Sequence, residues 1–434
     1  MRRKTFTFLV LILFFVLIGA ECERINVSLD RPDYRFLVED VGVREVWLRL
    51  KVYPNETIKE VSVFRDSVII FEGSPEIDTT IHDTLLSPGR DYTYILVANS
   101  PRETYVRLRE IKLTTLDTTS HDFTWEVYEF PCYGSGVFND VAIIDENDIW
   151  VVGDFEPIPY QTYNAVHWNG SRWEKRRIPF SGPCVIVQYP PISSIWAYNK
   201  HDILFNDGGR IINYDGINNY QVDCGMHNLL TGRMNKMFGF NENELYVVCN
   251  HGSYVWYNND WHYQETGKDL NFQDIWGVYN PLTGEKKVMA IACNHFTADS
   301  VGLFEIDNDN IKKIKNAGLP LEADGIWSPN SIKWFIGSAG LYYSNDLNKP
   351  WKYFNTPIEL GFCRRIRGNG LNDIFVAGNN GYIGHWNGKS WKTYLGIQAS
   401  FYGLDVKGNI VVAGGTILNG IMATSAVIVV GRRQ

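Results

Sequence analysis

Two tripeptides carry side chains suited to holding a ligand: Cys249-Asn250-His251 and Cys293-Asn294-His295. An imidazole beside an amide, at matching places in two segments, offers polar-ligand or metal chemistry. The same pairing also arises when a recurring turn uses Asn for a left-handed conformation and His for a backbone bond. The turn reading takes precedence, because repeats produce such equivalence anyway, and no metal is expected. Asp154-Phe155-Glu156-Pro157-Ile158-Pro159-Tyr160 combines carboxylates with aromatics, Asp207-Gly208-Gly209-Arg210 sets an acid three residues before a base, and Asn379-Asn380-Gly381 is a polar turn. The ligand-binding candidates are therefore Asp154, Phe155, Tyr160, Asp207, Arg210, His251, His295, Phe296 and Asn379, with Tyr189 a further loop aromatic. No catalytic residue is assigned and no cofactor is implied. The sequence holds no nucleophile elbow, zinc-protease helix or phosphate loop. Asp307-Asn-Asp-Asn310 lacks the Gly and terminal Glu of a calcium loop and reads as a hairpin tip.

The elements that must position these residues repeat. Ile149-Trp-Val-Val-Gly153, Ile203-Leu-Phe-Asn-Asp207, Leu245-Tyr-Val-Val-Cys249, Val288-Met-Ala-Ile-Ala-Cys293, Ile332-Lys-Trp-Phe-Ile-Gly337, Ile374-Phe-Val-Ala-Gly378 and Ile410-Val-Val-Ala-Gly414 are seven versions of one apolar strand. Each follows another strand, anchored on Val141, Ile195, Met237, Ile275, Ile326, Ile366 and Leu404, at intervals of about 40 to 50 residues. His167-Trp-Asn-Gly-Ser-Arg-Trp173 and His385-Trp-Asn-Gly-Lys-Ser-Trp391 are nearly one phrase, with Asn-Gly as the hairpin signal. His167 and His385 therefore read as structural, and the many Trp residues as packing between repeats. After Leu404 the chain has room for three strands, and Trp125-Glu-Val-Tyr-Glu-Phe-Pro131 matches the fourth-strand phrases Trp173–Pro179 and Trp351–Pro357. Residues 123–130 are thus expected to complete the last repeat and close a ring.

A four-strand repeat of this period resembles the WD40/YVTN/BNR-like β-propellers of exported bacterial proteins. The resemblance implies seven blades over residues 118–434. It places the second-to-third-strand loops, with all the candidate residues, on one face around a central opening. Ser344-Asn-Asp-Leu-Asn-Lys-Pro-Trp351 is similar to an Asp-box turn, with Asn348 in place of Gly. Arg177-Ile178-Pro179 is similar to the Arg-Ile-Pro motif of sialidases. In that family, however, the motif opens the propeller on an inner strand, whereas here it ends an outer one. Leu86-Ser-Pro-Gly89 leading into Tyr92-Thr-Tyr-Ile-Leu-Val-Ala98 resembles the corner and sixth strand of a fibronectin type III domain. That resemblance implies a sandwich over residues 24–117, with the Tyr92 hydroxyl bonded back to the backbone. The expected fold is all-β: a sandwich, read as a spacer, followed by a closed propeller.

Composition bounds the function classes. The chain has 434 residues, 45% hydrophobic and 21% charged, with a net charge of −8. That is globular composition, and its acidity argues against nucleic acid as a partner. Arg2-Arg3-Lys4, the apolar run Phe8–Ile18 and Gly19-Ala20 form an export signal over residues 1–20, too short to span a bilayer. Cys22 stands where a bacterial lipoprotein carries its lipidated cysteine, so a lipid anchor without a transmembrane helix is one expectation, and plain secretion the other. Cys132, Cys184, Cys224, Cys249, Cys293 and Cys363 permit three disulfides or stay as buried thiols. The expected function is non-catalytic binding or scaffolding of a protein or glycan through the propeller face, in the envelope or outside the cell. The alternatives are a carbohydrate-active hydrolase or lyase at the channel mouth, and an assembly factor like the propellers that assist photosystem assembly.

Overall fold

The structure, a computed structural model, describes residues 33–53, 58–99, 106–182, 185–217, 220–223, 232–281, 283–294, 301–315, 317–320, 322–355, 362–394, 396–419 and 422–434. It is almost entirely β, with 66% strand and 1% helix. The expected export signal and Cys22 lie outside the described residues, as do Cys184, Cys224, His295 and Phe296.

Among the described residues, seven four-stranded antiparallel sheets are built from residue 123 onward. Their first strands are Val137–Asp145, Ser194–Asn199, Met234–Asn241, Phe272–Tyr279, Gly325–Trp327, Cys363–Gly370 and Ala399–Lys407. Each first strand touches the next, and the last touches the first, so the sheets are arranged in a cycle. The apolar second strands explain themselves in this arrangement, because each is buried on both faces. Trp150 and Val152 point into a cluster with Ile203, Phe205 and Ile212 of the second sheet. Ile149 and Val151 point the other way, into a cluster with Ile410, Val412 and Ile428 of the seventh. Two-sided burial removes the alternation a half-exposed strand would show and leaves an unbroken apolar run. The terminal glycine of the run has its own cause. A Cβ on Gly153 would stand 2.0 Å from the Val137 carbonyl oxygen, and one on Gly378 1.8 Å from that of Phe362.

Closure uses the expected strand. Phe123–Pro131 pairs antiparallel with Met422–Arg433, Val127 opposite Val429 and Trp125 opposite Gly431. The seventh sheet is therefore built from both ends of this region. His121 secures the entry to the closing strand. Its Nδ1 lies 2.9 Å from Nδ1 of His385 and its Nε2 3.1 Å from Ser390 Oγ. His385 is fully buried, stacks on Phe375, and donates from Nε2 to Asp373 at 2.9 Å. His167 makes the equivalent bond to Asp148 at 2.8 Å and stacks on Trp150. Both histidines thus tie the second strand of their sheet to the third.

Two turns differ from expectation. Among the Asn-Gly hairpins only the glycines are left-handed, Gly170 at φ 89° and Gly388 at φ 90°. The asparagines instead act through their side chains: Asn169 Oδ1 accepts the Ser171 and Arg172 N–H groups. Asn348 is likewise not left-handed, and its N–H donates to Asp346 Oδ1 at 3.0 Å. A carboxylate cap does there what a glycine's freedom does in the Asp-box pattern.

The N-terminal region contributes a three-stranded sheet (Tyr34–Val41, Glu45–Val52, Ile77–Thr84) and a four-stranded one (Val68–Gly73, Glu60–Arg65, Asp91–Asn99, Val106–Thr114). The Tyr92 hydroxyl accepts the Ser87 N–H at 2.9 Å across the Ser-Pro-Gly corner. Two compact units result. Of the described residues, one holds those up to Phe36 and those within Leu50–Thr79 and Tyr94–Glu110; the other holds those within Leu37–Arg49, Thr80–Thr93 and Ile111–Gln434. Inside the second unit Trp47 is buried in one cluster with Trp327, Phe335 and Leu341. There Lys333 reaches Glu45 at 2.6 Å. Cys249 and Cys363 are buried free thiols and Cys132 is a half-buried one. Burial pushes the Cys249 thiol up to about 12.

Candidate functional site

The ends of the second strands and the starts of the first strands share one face of the cycle. Neighbouring sheets are tied there by the Asn139 amide on the Ile192 carbonyl, Arg233 on Ser193 and the Asn235 amide on the Phe272 carbonyl. The segment Asp154–Tyr160, expected as a loop, is strand as far as Ile158. Register shifts after Val152 and Phe155 carry it through two bulges despite Pro157. Phe155 is consequently buried, 0% exposed, against Phe130, Phe138 and Tyr163, and is a core residue. Asp154 is half-buried, and burial followed by the nearby Glu156 raises its pKa. Tyr160 occupies the tip with its side chain 100% exposed. It is left-handed at φ 65°, and the Glu156 carboxylate accepts its N–H. The Tyr133 N–H donates to the Glu156 carbonyl at 2.8 Å, which sets a second tyrosine, 75% exposed, beside this hairpin. Ile158 is also exposed.

A second exposed hairpin lies further along the chain. Phe180–Gly182 pairs with Val185–Gln188, and Ile186 and Val187 on that hairpin are exposed, Ile186 to 84%. The Asn164 amide holds its base by donating to the Ile178 and Pro190 carbonyls, each at 3.0 Å. Arg177 lies 4.0 Å over the Tyr189 ring. It is an exposed residue after the fourth strand of its sheet, away from the first strands that line the cycle. Asp207 and Arg210 are consumed locally. Asp207 Oδ1 accepts the Gly209 and Arg210 N–H groups, and Oδ2 takes Arg210 Nε at 2.8 Å.

His251 is itself the left-handed residue, at φ 59°, with Nδ1 2.9 Å from Oδ1 of the exposed Asp269. Asn250-His251-Gly252 is the same turn as Asn379-Asn380-Gly381. Asn380 has φ 60°, and a Cβ on Gly252 or Gly381 would stand 1.9 Å from the carbonyl of Lys268 or Ile397. Asn379 Oδ1 accepts Arg364 Nε at 2.8 Å, and Arg364 NH1 reaches Asp324 at 2.7 Å. Among the described residues no three His, Cys, Asp or Glu side chains converge as metal ligands, and no helix is long and apolar enough to cross a membrane.

The first strands also carry charges that the sequence reading passed over. Asp140, Lys236, Asp274 and Arg365 each precede the anchor of their repeat, while Arg367 and Asp405 follow theirs. They meet around a cavity of about 100 Å³ lined by first strands of six sheets. Lys236 pairs with Asp140 at 2.7 Å, and Arg367 grips both oxygens of Asp274 at 3.1 Å. Asp140, Asp274 and Asp405 also accept backbone N–H groups of Ile195, Ile326 and Ile143, each on the next sheet of the cycle. Burial pulls the Lys236 ammonium down to about 8 against the pull of Asp140. Burial works to raise Asp274, but Arg367 and Arg365 outweigh it and hold the carboxyl below its ordinary value. Asp405, with less compensation, is raised by burial. The two ion pairs thus link sheets two apart in the cycle, the first with the third and the fourth with the sixth, while the backbone bonds link neighbours. The signal that could have found them was one charged residue recurring beside an apolar anchor.

No protein-family model matches the sequence. No curated protein matches it. Solved structures do. The structure described as YCF48 bound to D1 peptide aligns with a TM-score of 0.51 at 12% identity, over 73% of this chain and 100% of that one. YCF48 from Cyanidioschyzon merolae aligns with 0.51 at 11% identity, over 71% of this chain and 98% of the other. The fold is that of a β-propeller.

Proposed function

We propose that this chain is a seven-bladed propeller behind a fibronectin type III-like module, and that it binds a protein partner through the face bearing Tyr160. The observation that carries the reading is the exposed apolar surface of Tyr133, Ile158, Tyr160, Ile186 and Val187 on two hairpins before the second sheet. Exposed apolar groups gathered on one face mark association surfaces. Aliphatic members of the set suit a polypeptide better than a glycan, which asks for flat rings and polar rims. YCF48, of the same fold, has been solved with a D1 peptide bound, which supports a peptide-binding reading here. The Ser87–Tyr92 bond supports the fibronectin type III assignment. The export signal and Cys22 support work in the envelope or outside the cell.

The test is site-specific photo-crosslinking in cells, with the probe at Tyr160, at Ile186 and, as a control, at exposed Val68. The expected result is one shared protein adduct at 160 and 186 that is missing at 68. Adducts that are absent from 160 and 186, or equal at all three positions, overturn the proposal.

A further inference from the structure

On the opposite face, between the second and third sheets, lies a cavity of about 200 Å³ lined by Tyr198, Asp202, Leu204, Ile211, Asn213, Asp223, Glu242, Leu245, Tyr257 and Trp261. Its chemistry is of one kind. Three aromatic rings and an aliphatic floor surround three carboxylates, and among the described residues no Lys, Arg or His lines it. The Trp261 ring is fixed by its indole N–H on Asp223 Oδ2 at 2.7 Å and by packing on Tyr257, centroids 5.1 Å apart. Tyr198 can reach the cavity only because residue 239 is glycine, where a Cβ would stand 2.0 Å from its hydroxyl. That hydroxyl is buried and makes no hydrogen bond.

The repeat shows what is unusual here. Asp148 and Asp373 occupy the position of Asp202 in their own sheets, and each is met by a histidine, His167 or His385. In the second sheet the histidine's place is taken by Asn213, which donates to Asp202 at 3.1 Å and brings no charge. Burial and the neighbouring Glu242 accordingly raise the Asp202 pKa, with Asn213 opposing. Lys286 of the fourth sheet pairs with Glu244 of the third at 2.5 Å. The groove is therefore a partly desolvated acidic site, in which Asp202 meets an amide where two other sheets place an imidazole.

We propose that this groove binds a small organic ammonium ion, its charge set between Asp202 and Glu242 and its alkyl groups against Tyr198, Tyr257 and Trp261. Rings attract such a cation through their quadrupoles while carboxylates fix its charge. A bare metal ion fits less well, because half of the lining is apolar and the acids do not converge. This site shares no residue with the Tyr160 face, so either proposal can fail without the other.

The test is calorimetric titration of the full chain with choline, beside its uncharged carbon isostere 3,3-dimethylbutan-1-ol. Choline is expected to bind and the isostere to give only dilution heat. Glu242→Gln at the exposed rim is expected to weaken choline binding about fivefold to tenfold, and Trp261→Leu similarly. Glu146→Gln on a distant turn should leave it unchanged. Glu242 is exposed, so its variant folds and keeps the test decisive even where Trp261→Leu does not. Equal heats for choline and the isostere, or choline binding indifferent to Glu242→Gln, overturn the proposal.

Discussion

Replacing Asp274 with alanine tests whether the channel charges hold the cycle together. Arg367 has little access to water, and its guanidinium meets both Asp274 oxygens at 3.1 Å, the Ile366 carbonyl at 2.7 Å and the Trp276 ring at 4.6 Å from its centroid. Removing Asp274 leaves that cation buried with carbonyls and the Trp276 ring but no counter-ion on its guanidinium, and frees the Ile326 N–H that Asp274 accepts at 3.1 Å. Stripping one partner from a buried pair costs about 3–5 kcal/mol. At about 2 °C per kcal/mol for a unit of this size, the midpoint of thermal unfolding should fall by roughly 6–10 °C. Replacing both partners, Asp274→Leu with Arg367→Met, removes one charge of each sign and should recover most of that loss. The measurement is calorimetric unfolding of the parent, both single variants and the double. A fall of less than about 2 °C for Asp274→Ala would refute the reasoning, because it would mean that Arg367 reaches water through the channel.

Acid should loosen the closing strand. Burial, then His385 and Lys392, lower the His121 pKa to about 4, against about 6.5 in an unfolded chain. The unfolded chain therefore binds the proton first, and stability falls as pH drops from about 6.5 toward 4. His121→Asn should flatten that limb of a melting-temperature profile, and an unchanged slope would count against the His121–His385 latch. Gly381→Ala should cost more than about 1 kcal/mol in urea unfolding, because φ is 67° and the new Cβ meets the Ile397 carbonyl. Gly134→Ala, with nothing within 4 Å, should cost little; equal costs would count against the turn argument. A chain beginning after Pro131 exposes the edge of Met422–Arg433 and should aggregate by light scattering, with a peptide of residues 121–131 slowing it. No effect of the peptide would argue against edge capture.

What the sequence disclosed follows from how each segment meets solvent. Ile149–Val152 and its six counterparts were legible because two-sided burial forces an apolar run that recurs. The closing strand was legible because Trp125–Pro131 repeats a phrase used elsewhere as a fourth strand. Phe155 misled because Pro157 and Pro159 argue for a loop, while bulges allow a strand to absorb the first. His251 invited a ligand reading because its left-handed backbone is invisible without its counterpart Asn380. The channel charges escaped notice because charges scattered over separate strands look like ordinary polar alternation. Only the cycle brings Asp140 to Lys236, and Asp274 to Arg367 across 93 residues.

The composite seventh sheet constrains how the molecule comes into being. Phe123 finds Arg433, its partner in the ladder, only after some three hundred intervening residues have been synthesised. Until then the first sheet lacks one neighbour, and the strand before it has no ladder to join. Pairings of such separation close slowly, since the loop entropy is lost before the contacts form. An emerging chain must therefore keep Phe123–Pro131 from capturing an earlier edge. Its outward-facing Thr124, Glu126 and Glu129 would discourage such premature pairing on the ribosome.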